Sequence, residues 1–114
     1  METERLPEEI EWHFSRFVER AQEMLDRHVE EAGGPPGREA LIEVDKGRVY
    51  WKLIFADRWP FQDYTHRSVW CFIRRKDGAV FSAASWRAPQ TKTKTPIKGY
   101  IWEDEHEFYP YARP

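Results

Sequence analysis

The chain reads as an α+β protein: one N-terminal amphipathic helix packed on an antiparallel sheet of four to five strands arranged as a meander. Three observations predict this. Apolar residues recur at helical spacing from Ile10 to Ala32. Three segments with strand-like character follow, at residues 49–55, 68–73 and 79–84. Asp45-Lys46-Gly47 and Lys76-Asp77-Gly78 supply short turns, which make the connections beside them hairpins rather than crossovers.

Residues 7–32 form the helix. Ile10, Phe14, Phe17, Val18, Ala21, Met24, Leu25, His28, Val29 and Ala32 share one face at i, i+3, i+4 spacing. Pro7 suits the first turn, where no amide hydrogen is required, and Glu8, Glu9 and Glu11 complement the positive end of the helix dipole. Gly33 suits the position just past the last turn, and the Gly33-Gly34-Pro35-Pro36-Gly37 run cannot prolong the helix.

Residues 40–86 make the sheet core. A short strand at 40–44 turns through Asp45-Lys46-Gly47 into a second strand. There Val49, Trp51, Leu53 and Phe55 point to the core, and Tyr50, Lys52 and Ile54 point away. Residues 57–66 are a loop centred on Trp59-Pro60-Phe61, which either folds back over the sheet edge or serves as a contact loop. In the third strand, residues 67–74, alternation puts Val69, Cys71 and Ile73 on the core face and Ser68, Trp70, Phe72 and Arg74 on the other. Large apolar groups on both faces mark a central strand. The fourth strand ends in Ala83-Ala84-Ser85 before Trp86, small residues that permit close approach of another element or a ligand. Residues 89–96 are polar, basic and aperiodic and read as a flexible loop. Residues 97–102 return as an edge strand, and residues 103–114 form an acidic, then aromatic tail.

A length of 114 residues sets one domain. Aromatic content of 16%, with six Trp, is high, and large rings give a small core much apolar area per residue. The single cysteine, Cys71, cannot form an intramolecular disulfide and reads as a small buried hydrophobe of a cytoplasmic protein. The N-terminal Met-Glu-Thr-Glu-Arg has no apolar stretch of the signal-peptide type, and no segment has the length of a membrane span. Asn is absent, Arg outnumbers Lys twelve to six, and there are eight prolines, a composition that fits a thermophilic source.

The net charge of −2 conceals segregation. Residues 1–31 carry ten acids against four bases; residues 74–102 carry seven bases against one acid. That asymmetry directs attention to the second segment.

The segments Lys46-Gly47-Arg48-Val49-Tyr50-Trp51-Lys52, Arg67-Ser68-Val69-Trp70-Cys71-Phe72-Ile73, Asp77-Gly78 and Ala83-Ala84-Ser85-Trp86-Arg87-Ala88-Pro89 together resemble a group of small bacteriophage proteins of unassigned function. These share a K-G-R-x-Y segment, an S-V-x-x-F strand and an A-A-S-W-(K/R)-A-P ending. The resemblance covers about residues 46–89. It implies a viral source, a role in replication or host takeover, and the host cytoplasm as the place of action.

The leading chemical expectation is nucleic-acid binding. Arg74, Arg75, Lys76, Arg87, Lys92, Lys94 and Lys98 are interleaved with Trp86, Tyr100 and Trp102. Cations neutralise phosphates and release counterions, and exposed rings offer a stacking face to any base. The combination suits single-stranded DNA or RNA along a sheet rim and loop, although an equally basic hairpin and loop that bind nothing would carry the same signal. The alternative is a protein-interaction module that inhibits or redirects a host protein through Trp59, Phe61, Tyr109 and Tyr111. Either reading accommodates a homodimer formed through a sheet edge or the tail.

No cofactor, metal or enzyme activity is expected. Asp104-Glu105-His106-Glu107 is ligand-rich but lacks a partner at structured spacing, and His13 and His28 are too far apart on the helix to share an ion. Cys71, Ser82 and Ser85 lack a nucleophile elbow, and nothing in the spacing brings Asp57, Asp63 and Glu103 together.

Overall fold

Helix α1 (Pro7–Ala32) precedes strands β1 (Glu39–Lys46), β2 (Tyr50–Arg58), β3 (His66–Arg74), β4 (Ala79–Phe81) and β5 (Gly99–Tyr100), in a computed structural model that describes residues 7–33 and 36–103. The strands form one antiparallel sheet in the order β1-β2-β3-β4-β5. The α+β arrangement expected from the periodicities is the one observed.

The helix lays Ile10, Phe14, Phe17, Ala21 and Leu25 on one face of the sheet, against Trp51, Leu53, Trp70, Cys71, Ile73, Val80 and Ile101. His28 and Ala32 do not join this stripe; both are exposed, while Val29 between them packs against the core. The helix ends where Gly33 adopts φ +75° and its amide donates to the carbonyl of Glu30, a conformation that glycine adopts without a Cβ penalty. Gln22 has a second duty. Its amide nitrogen donates to the carbonyl of Ala40 at 3.2 Å, and its oxygen accepts from the amide of Ile42 at 2.8 Å. One side chain thus satisfies part of the free edge of β1, which would otherwise invite pairing with another chain.

Alternation in β3 is broken. Leu53 pairs with Cys71 and Ile54 pairs with Val69, so β3 carries one extra residue at Trp70. This bulge turns Trp70 to the helix side, where it contacts Phe55, and sends Val69 to the opposite face beside Phe72 and Tyr50. The expected placement of Val69 with Cys71 is therefore corrected: a single inserted residue reverses every side chain before it. Val49 is corrected too. It precedes β2 in the turn and is 60% exposed.

The second face has its own smaller cluster of Phe72, Ala79 and Phe81, against which Tyr50, Val69, Ala83, Ile97 and Tyr100 pack. Here the cover is the chain between β4 and β5. Strand β4 ends at Phe81, and a narrow loop takes over, its neck formed by an Ala83–Pro89 bridge and a hydrogen bond from the Gln90 amide to the Ser82 carbonyl. Pro89 and Gln90, read in sequence as part of a flexible loop, belong to this neck. At the β3–β4 turn, Gly78 has φ +73°, and a Cβ there would meet Trp102 at 2.9 Å and Ile101 at 3.0 Å. The Gly78 carbonyl also accepts from the Ile101 amide, which fixes the chain after β5 against the turn. Among the described residues, no helix is long and apolar enough to cross a membrane.

Candidate nucleic-acid interface

Lys52 organises the surface opposite the helix. Its position in β2 points it away from the helix core, where its ammonium donates to the carbonyl of Trp86 at 2.8 Å. The same nitrogen lies 4.4 Å from the Trp86 ring centroid and 4.0 Å from an Asp45 oxygen. The side chain is only 12% exposed. A cation held by an indole face and a carbonyl at once is anchored more firmly than by either alone.

The anchor leaves Trp86 46% exposed at the tip of the narrow loop. The tip is tightly closed: the amides of Ala84 and Ser85 both donate to the Ala88 carbonyl, and the Arg87 amide donates to Ser85 Oγ. Arg87 is exposed beside Trp86. Further on, Lys92 and Lys94 are exposed, with the Lys92 amide donating to Gln90 Oε1. The Lys98 amide donates to the Val80 carbonyl and brings the chain back to the sheet, its side chain exposed. The basic segment thus lies over one face of the sheet and the acid-rich helix over the other.

Arg74 and Arg75 have structural work. Arg74 forms a two-pronged pair with Asp77, at 3.0 and 2.7 Å, and lies over the Phe81 ring. Burial opposes ionisation of Asp77, but the bonds from Arg74 and from the Ala79 amide prevail and hold its carboxyl below the usual aspartate range. The bond to Asp77 raises the pKa of Arg74 in turn. Arg75 lies over Trp51, with its guanidinium directed at the carbonyls of Gly47 and Arg48 in the neighbouring turn. Lys76 is exposed at the turn. Tyr100 is half-buried and stacked on Trp102, ring centroids 5.1 Å apart. The structure therefore gathers Trp86, Arg87, Lys92, Lys94 and Lys98 on one segment and sets Arg74, Arg75 and Tyr100 apart as parts of the frame.

The aromatic loop between β2 and β3 divides its residues. Trp59 is anchored: Arg38 lies 4.7 Å over its ring, and both Arg38 and the Trp59 indole nitrogen donate to Asp57. Phe61 is 93% exposed, with Tyr64 exposed nearby in the same loop. Trp59 follows the fold-back reading, and Phe61 projects into solvent. Tyr109, Tyr111 and the Asp104–Glu107 cluster lie outside the described residues.

Lys52 was not singled out in sequence, although it is the only charge within the apolar run from Val49 to Phe55. Burial pushes the Cys71 thiol far above its ordinary pKa, which removes it as a nucleophile near neutral pH. Among the described residues, no three His, Cys, Asp or Glu side chains are arranged to hold a metal ion.

No curated protein and no solved structure matches this chain. A family model, described as "Family of unknown function (DUF7717)", matches residues 3–102, and the chain belongs to that family.

Proposed function

We propose that this protein binds single-stranded DNA or RNA through the face of the sheet that carries the Trp86 loop. One observation carries the reading: the basic segment and the acid-rich helix cover opposite faces of one sheet. Phosphates are attracted to one side and repelled from the other. Trp86 supplies a pre-positioned ring for a base, since Lys52 has already fixed its backbone and one face of the indole. Arg87, Lys92, Lys94 and Lys98 supply phosphate contacts, with Lys76 at the neighbouring turn. In this reading Arg74, Arg75 and Tyr100 hold the frame. The motif resemblance to bacteriophage proteins supports a viral accessory role in the cytoplasm of a host cell, and the absence of Asn supports a thermophilic one.

Fluorescence anisotropy with labelled single-stranded oligonucleotides at low and high salt tests the proposal. Binding is expected to weaken with salt, and each phosphate contact removed by Arg87→Ala or Lys92→Ala/Lys94→Ala to reduce the log–log salt slope by about 0.7. Absence of binding at low salt would overturn it.

A second reading rests on Phe61. A fully projecting ring on an anchored loop suits insertion into an apolar pocket of a host protein. It predicts a defined partner recovered after nuclease treatment and lost on Phe61→Ala. Self-association through β1 is opposed at Ala40 and Ile42 by Gln22.

A further inference from the structure

A cleft of about 170 Å³ opens between the first half of α1 and the chain after β5, lined by Trp12, His13, Arg16, Arg20, Ile101 and Trp102. Trp12, Arg16 and Arg20 follow one another at i, i+4 spacing, so a single stripe of the helix furnishes one wall. Two of the three arginines of α1 thereby line one site on an otherwise acid-rich helix.

The site is ordered by ring contacts. His13 stands edge-on to Trp12 at 5.0 Å and to Trp102 at 5.9 Å. Trp102 is backed by Tyr100, and the fully buried Ile101 supplies an apolar floor. Arg20 Nη2 donates to the Ile101 carbonyl at 3.0 Å and fixes the far wall. Arg16 is different. Its guanidinium rests 5.3 Å from the Trp12 ring centroid, and among the described residues it forms no ion pair. Trp12 itself remains 59% exposed. His13 makes ring contacts but no hydrogen bond among the described residues.

We propose that this cleft binds a monocyclic aromatic anion, its ring against Trp12 and Trp102 and its carboxylate or phosphate on Arg16 and His13. Size and chemistry both select this class. An apolar protein cavity of about 150 Å³ holds one benzene ring, so the cleft has room for one ring and a small substituent. Indole walls favour a planar ring, and a guanidinium outside any ion pair among the described residues favours an anion. A free aromatic acid and the base and phosphate of a pyrimidine mononucleotide share this chemistry. The proposal stands apart from the Trp86 surface on the other face of the sheet.

The test follows the indole N–H signals of the full-length ¹⁵N-labelled protein as benzoate, phenylphosphate or uridine monophosphate is added. Benzamide and acetate serve as the neutral and non-aromatic controls. Saturable movement of the Trp12 and Trp102 signals by benzoate or phenylphosphate, with the Trp86 signal unmoved, is expected. Arg16→Ala and benzamide should each weaken binding about tenfold. Because Arg16 and Trp12 are exposed, Arg16→Ala and Trp12→Ala should leave the circular dichroism and melting temperature unchanged. Saturation by uridine monophosphate assigns the ligand to nucleotides; its failure beside benzoate binding assigns it to free aromatic acids. No saturable movement with any of the three anions, or equal binding of benzamide, overturns the proposal, whatever the outcome of the oligonucleotide titration.

Discussion

The two faces of the sheet are closed in different ways. On one, a continuous helix of 26 residues buries five of its apolar side chains against seven from the sheet and the chain that follows it. On the other, a loop covers Phe72, Ala79 and Phe81 with two small contributions, Ala83 and Ile97, and is held in place by Lys52 of β2. The first cover derives its stability from apolar area, which is non-directional and large. The second relies on a few directional contacts, which hold a loop in place while leaving its ring and cations in water. The difference separates a face built for stability from one that can present groups to a ligand.

Substitutions can break or sharpen this division. The largest effect belongs to the helix face: Phe17→Ala should destabilise the protein by about 3–5 kcal/mol in urea denaturation, since the ring is fully buried. Gly78→Ala comes next, at about 2–4 kcal/mol, because a Cβ there needs an unfavourable positive φ and collides with Trp102 and Ile101. Gln22→Ala should cost about 1–2 kcal/mol, and it should raise self-association in sedimentation velocity by uncovering the β1 edge.

Asp77→Asn should cost about 1 kcal/mol near neutral pH, since the pair with Arg74 is partly exposed. Its pH dependence has a definite sign. The folded-state carboxyl titrates below the ordinary aspartate value of 3.8, so its stabilisation is complete above that value and is lost as the pH falls through the lowered one. Thermal melts of the two forms should therefore converge in acid.

The smallest effect on stability is expected from Trp86→Ala, less than about 1 kcal/mol, because only the cation–ring contact is lost while the backbone carbonyl that Lys52 uses remains. The same change should weaken oligonucleotide binding more than any single lysine substitution in the loop. If Trp86→Ala unfolds the protein as Phe17→Ala does, the division between the faces is wrong.

Much of the frame was legible in the residues. Periodicity over Ile10 to Leu25 and alternation over Trp51 to Phe55 are local signals that survive folding, because each reports which side of its own element meets the core. The candidate interface was legible as composition but not as arrangement. Arg74 and Arg87 look alike in a charge count, yet one lies over Phe81 in a pair with Asp77 and the other is exposed at a loop tip. Lys52 looked like an outward residue of a half-wet strand, and its partner lies 34 positions away.

The sequence by itself determined the helix, the order of the strands and the segregation of charge along the chain. Tertiary structure alone decided that Trp70 bulges and Val69 changes face, that the acidic and basic segments cover opposite sides of one sheet, and that Trp12, Arg16 and Trp102 meet in a cleft. Local patterns follow from backbone periodicity and from each side chain's preference for water or apolar surroundings. Register, covering loops and convergent sites depend on contacts between residues far apart in the chain, and no local pattern encodes which of the possible partners will meet.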